Sequence, residues 1–103
     1  MELQSIPVSP KVWYLVGMDL IGPFKPTVMG HQFVLTMTDY FSKYVEATPI
    51  KDKSAVSVAR GIYEVYCRQG APVHIITDQG KEFVNRVLVA MYSCIFIIMY
   101  STI

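Results

Sequence analysis

The stretch from Ser54 to Gly80, SAVSVARGIYEVYCRQGAPVHIITDQG, decides the fold. Ala55, Val58, Ala59, Ile62 and Tyr66 recur at helical spacing, so residues 54–69 form an amphipathic helix. Asp52 or Ser54 can cap its first turn, Arg68 lies in its last, and Gly70 followed by Pro72 stops it. Val73-His74-Ile75-Ile76-Thr77 then predicts a short, mostly buried strand ending at Asp78. A helix leading into a strand is the crossover that parallel pairing requires, so this strand needs an earlier partner running the same way.

That partner is Val12 to Leu20, which mixes Val, Trp, Tyr and Leu without charge before Asp19 and stops at Gly22-Pro23. The two strands end alike, in Asp19-Leu20-Ile21-Gly22 and Asp78-Gln79-Gly80. Side by side and parallel, they deliver both acids to one carboxyl edge, where open α/β folds build their sites. Between them, residues 31–38 and 43–50 have the β-branched, alternating character of strands, and the short link Asp39-Tyr40-Phe41-Ser42 makes them an antiparallel hairpin.

Bulk composition narrows the class. A chain of 103 residues supports one modest core, and 52% hydrophobic against 17% charged residues excludes a disordered or collagen-like polymer. The formal charge of +1 gives no broad basic field, so any nucleic-acid contact must be local. Cys67 and Cys94 have no CxxC spacing, and no secretory signal precedes them; two free thiols in an intracellular setting are expected. Residues 1–10 predict an extended leader carrying Pro7 and Pro10. Residues 87–103 carry no charge and lack the polar stripe of a surface helix. They suit a buried element, a membrane anchor or an appendage; an appendage is expected, and a membrane partner is not, because no basic cluster follows the run.

Three groups of residues carry a resemblance: Trp13, Val16, Asp19, Gly22 and Pro23; then Asp39-Tyr40-Phe41-Ser42-Lys43-Tyr44; then Ile75 to Phe83. In this order they resemble the catalytic core of retroviral and gypsy-like long-terminal-repeat retrotransposon integrases, or of host genes derived from them. The resemblance implies an α/β, RNase H-like mixed sheet, with an antiparallel hairpin and a parallel strand reached through a crossover helix, incomplete at its carboxyl end. It divides the chain into a leader (1–10), a partial core (11–86) and a tail unlike the family (87–103). It further implies an active site of two aspartates and a glutamate holding two magnesium (or manganese) ions. Asp19 and Asp78 take the places of the aspartates as catalytic and metal-binding residues, and carboxylates suit a hard cation. Two ions about 3.5 to 4 Å apart can activate a nucleophile and stabilise the leaving oxygen in attack on a phosphodiester.

Family spacing puts the glutamate beyond Ile103, so the chain is expected to be inactive alone. The function implied is nucleic-acid binding and DNA integration in the nucleus, with DNA, a homo-oligomer or a full-length integrase core as partners. The alternative is a non-catalytic, domesticated protein or nucleic-acid interaction module. Lys81 is the expected DNA phosphate contact. Asp39, in the hairpin link, reads as a turn former. Glu82 suits the first turn of a helix and is a poor substitute for the third acid. His31 has no partner at ligand spacing, and His74 reads as a partly buried strand residue. Tyr40, Phe41 and Tyr44 pack the hairpin onto the core or stack on bases.

Overall fold

A computed structural model describes the backbone of residues 10–102 and the side chains of residues 10–93. The expected leader therefore lies almost wholly outside the described residues, as does the side chain of Cys94. The chain order is β1 (Leu15–Ile21), β2 (Phe33–Asp39), β3 (Val45–Ile50), α1 (Ala55–Gln69), β4 (His74–Ile76) and α2 (Lys81–Thr102). The strands form one mixed sheet in the order β3-β2-β1-β4. The β1/β2 and β2/β3 pairs are antiparallel, and β1/β4 is parallel. This is the hairpin plus crossover strand expected from the sequence.

Local chemistry sets the element ends. Ser54 is the N-cap of α1, its side chain accepting from the Ser57 amide at 3.3 Å, while Asp52 accepts from the Ser54 amide at 2.9 Å. At the other end Gly70 adopts φ +80 and donates its amide to the Tyr66 carbonyl at 2.7 Å. Residues 12–14 do not join β1 as expected. Trp13 turns to φ 64, its amide donating to Asp39 Oδ1 at 3.1 Å and its indole Nε1 to the Gly70 carbonyl at 2.8 Å. Lys43 likewise leaves β3 for the hairpin turn, at φ 69.

Strand alternation separates the two faces of the sheet. Val16, Met18, Leu35, Met37 and Ile50 turn toward the helices and pack with Val58, Ala59, Ile62 and Val65 of α1 and Val87 and Met91 of α2. Gly61 lets α1 approach closely: a Cβ there would lie 2.9 Å from Leu35 Cδ2 and 3.1 Å from Ile50 Cγ2. The expected apolar stripe of α1 is thus buried, with Ala55 and Tyr66 only partly so. On the other face, Gly17 and Asp19 stand across from Thr38 and Thr36.

One expectation is corrected. The strand before Asp78 is exposed throughout, Ile75 and Ile76 being 36% accessible, whereas a mostly buried strand was expected. Among the described residues β4 pairs only with β1, so it is an edge strand, and its apolar composition does not bury it. Helix α2 runs unbroken through the boundary expected between residues 86 and 87; its 22 residues span about 33 Å. Among the described residues no helix is long and apolar enough to cross a membrane.

Candidate metal and nucleic-acid site

The parallel ladder pairs Leu15 with His74, Val16 with Ile75 and Gly17 with Ile76. The ladder ends there, two residues before Asp78, while β1 runs on through Asp19 to Ile21. Both acids line one open cleft of about 460 Å³, together with Gly17, Met18, Thr36, Thr38, Tyr40, Ile76 and Thr77. Both are exposed. Asp19 Oδ1 accepts from the amide of Leu20 at 2.9 Å, and the Thr36 hydroxyl donates to the Asp19 carbonyl at 3.4 Å.

The donor set suits a hard divalent cation. Magnesium is commonly held by one or two carboxylates, with waters and substrate phosphates completing its shell. Among the described residues no group of three or more His, Cys, Asp or Glu is placed to hold a metal ion, and Asp19 and Asp78 are the carboxylates lining this cleft.

The residues that follow the acids lead into a second cleft. Leu20 and Gln79 line it with Lys53, Ser54, Ala55, Phe83 and Arg86, and its volume is about 520 Å³. The β1/β4 rim therefore separates an acidic hollow from one carrying two cations. Arg86 also stands 5.9 Å from the centroid of the Phe83 ring. Lys53 and Arg86 are distant in sequence, and only the packing of α2 beside the start of α1 reveals their convergence. Lys81, the expected phosphate contact, is exposed at the first position of α2 and lines neither cleft.

Asp39 occupies a different setting from the rim acids. It is fully buried and accepts from the Trp13 amide (3.1 Å), the Phe41 amide (3.3 Å), the Ser42 amide (3.2 Å) and the Ser42 hydroxyl (2.6 Å). Burial pushes its pKa up, but the Ser42 hydroxyl and the three amides outweigh it and hold the carboxyl below its ordinary 3.8. Nearby, Glu46 accepts from the Tyr44 hydroxyl, from Arg68 at 2.9 Å and from Gln69 Nε2 at 2.9 Å. The Tyr44 bond first, then Arg68, lower its pKa from 4.5. These acids tie the hairpin to β1 and α1.

The remaining candidates fall away from the rim. His74 is exposed, not partly buried, because β4 is an edge; its ring meets Tyr14 edge-on at 5.2 Å. Glu82 sits in the first turn of α2. Phe41 and Tyr44 are about half exposed, so they do not seal the hairpin onto the core. Cys67 is a free, exposed thiol.

Comparison with known proteins agrees with this architecture. The mouse Gypsy retrotransposon integrase-like protein 1 is 35% identical over 89 residues, covering 86% of this chain and 17% of the relative. The Drosophila melanogaster Pol polyprotein from transposon 412 is 35% identical over 74 residues, covering 71% and 6%. The chain thus spans less than a fifth of the length of the curated relatives it matches. In fold it is similar to a chain of the simian T-cell lymphotropic virus intasome solved with PP2A regulatory subunit B56 gamma, with a TM-score of 0.57, 23% identity, and coverage of 76% of this chain and 31% of the other. The mixed four-stranded sheet with one parallel pair is consistent with an RNase H-like fold. Residues 10–95 match the integrase core domain, and with these relatives the chain belongs to the integrase core family of retroviral and gypsy-like retrotransposon type.

Proposed function

We propose that this chain is a nucleic-acid-binding integrase core in which Asp19 and Asp78 hold a divalent cation, magnesium or manganese, against a DNA phosphodiester. The observation that carries the reading is that two carboxylates remote in sequence, one within β1 and one just past its parallel neighbour β4, line one open cleft. When bound, such a cation supplies Lewis-acid activation of a water or a DNA 3′ hydroxyl. The chain's own part is to orient. Strand β1 fixes Asp19, the turn after β4 presents Asp78, and the exposed oxygens of both remain open to an ion and its waters. Lys53 and Arg86 across the rim, with Lys81 at the start of α2, supply cations for phosphates flanking the reacting one. DNA integration in the nucleus is the process this chemistry would serve, within a longer protein or an assembly of the intasome kind.

Calorimetry with magnesium or manganese tests the metal assignment. Asp19→Asn and Asp78→Asn should each abolish the binding heat while leaving the circular dichroism spectrum intact; unchanged affinity in both would reject it. Lys53→Ala and Arg86→Ala should weaken DNA binding regardless of sequence and reduce its salt dependence, by a slope of about one per lost contact.

One observation favours a second reading, a non-catalytic interaction module. Val73, Ile75, Ile76, Leu88, Val89 and Tyr92 are exposed along β4 and α2, beside an apolar hollow of about 230 Å³. Surface of this kind marks protein contacts. A second copy or a full-length integrase core is the partner this reading names. Light scattering that finds a monomer, with no association with a related core, would remove it.

A further inference from the structure

Among the described residues that line the cleft holding both acids, Tyr40 is the one aromatic, and the fold builds a seat for it. A Cβ added at Gly17 would stand 2.8 Å from Tyr40 Cε1 and 3.1 Å from its hydroxyl oxygen. The ring therefore lies in a notch that only glycine leaves in this strand. Its backbone is held independently of the ring: the Tyr40 amide donates to the Leu15 carbonyl at 3.0 Å, and Lys43 Nζ donates to the Tyr40 carbonyl at 3.1 Å. The preceding residue is the buried, fully engaged Asp39. A long side chain is thus fixed before any ligand arrives, which lowers the entropy lost on binding.

Gly17 and Asp19 are two residues apart on one strand and face the same side, about 7 Å along the sheet. That separation is of the order of the spacing between successive phosphates in an extended strand. From this geometry we infer that the Tyr40 hydroxyl donates a hydrogen bond to the DNA phosphate next to the one held at Asp19 and Asp78. Asp39 is then a positioning residue, acting through Tyr40. The inference rests on the metal-site reading above, and its test separates the two.

The experiment uses the full chain, magnesium and a labelled single-stranded oligonucleotide read by fluorescence anisotropy, together with a set of probes each carrying one methylphosphonate. Tyr40→Phe keeps the ring and removes the hydroxyl. It should leave magnesium affinity unchanged and weaken oligonucleotide binding about tenfold, the effect of one hydrogen bond to a charged group. One methylphosphonate position should weaken binding to the unmodified chain by a similar factor and have no further effect on Tyr40→Phe. That non-additivity is a signature that a purely structural role would not produce, and measuring well below both melting temperatures keeps it readable if the variant is less stable. If Tyr40→Phe binds as the unmodified chain does, or every methylphosphonate costs both proteins equally, the Tyr40 assignment is wrong while the metal site stands. If Asp19→Asn retains magnesium-dependent oligonucleotide binding, or the unmodified chain shows none, the metal-site reading fails and takes Tyr40 with it.

Discussion

Asp19, within β1, and Asp39, the last residue of β2, lie on neighbouring strands of the same sheet and have opposite surroundings. Asp39 is buried and its carboxylate takes four hydrogen bonds from the turn and from Trp13. Asp19 is exposed, with a contact to the amide of the next residue. A carboxylate whose lone pairs are occupied by the fold is structural, whereas one left exposed on an open sheet face is available to a ligand. The contrast runs across the sheet: the β2/β3 hairpin, with Asp39 and the Glu46–Arg68 pair, is internally satisfied, and the β1/β4 rim is open.

The largest expected effect breaks the satisfied side. Asp39→Ala leaves the Trp13, Phe41 and Ser42 amides without their acceptor and should destabilise the chain by about 2 to 4 kcal/mol, measured by urea unfolding. If it falls within about 0.5 kcal/mol of the unmodified chain, the network is incidental. Ser42→Ala removes one donor hydroxyl of the set and should cost about 1 kcal/mol in the same measurement.

Acidification sharpens the same comparison. Both Asp39 and Glu46 have folded pKa values below their ordinary 3.8 and 4.5, so each contributes stability that is present above those values and lost as pH falls through them toward the lower folded ones. Thermal midpoints should therefore hold near neutrality and decline below about pH 5, with a shallower decline in Asp39→Asn, which cannot titrate. Parallel curves would mean that Asp39 contributes nothing to the acid limb. The smallest effect belongs to the open side: Asp19→Asn and Asp78→Asn should change stability by no more than about 0.5 kcal/mol, since neither side chain is buried. A loss comparable to that of Asp39→Ala would make the rim acids part of the scaffold and remove the basis for reading them as ligands.

Legibility in the sequence followed the range of the interactions. The capped helix from Ser54, the glycine stop at Gly70 and the turn at Asp39 depend on neighbours a few residues away, and each appears where the sequence puts it. The start of β1 is not legible locally, because Trp13 answers to Asp39 and Gly70, which are 26 and 57 residues distant. The exposure of β4 is not legible either, because an apolar strand carries no mark of whether another strand covers its outer edge. In the candidate site, an aspartate after each of two apolar runs is readable; the presence of Lys53 and Arg86 in one cleft and the seat of Tyr40 over Gly17 are not.

The amino-acid sequence by itself determined the element types, the caps and turns, and the presence of an aspartate at the end of each of two apolar runs, because these rest on local hydrogen bonding and side-chain periodicity. Tertiary structure alone decided that β4 joins β1 so that Asp19 and Asp78 line one cleft, that Asp39 is saturated while Asp19 stays open, and that cations gather on the far side of the rim. Those outcomes depend on which distant segments pack together, since strand register and burial are settled by contacts between elements and not within them.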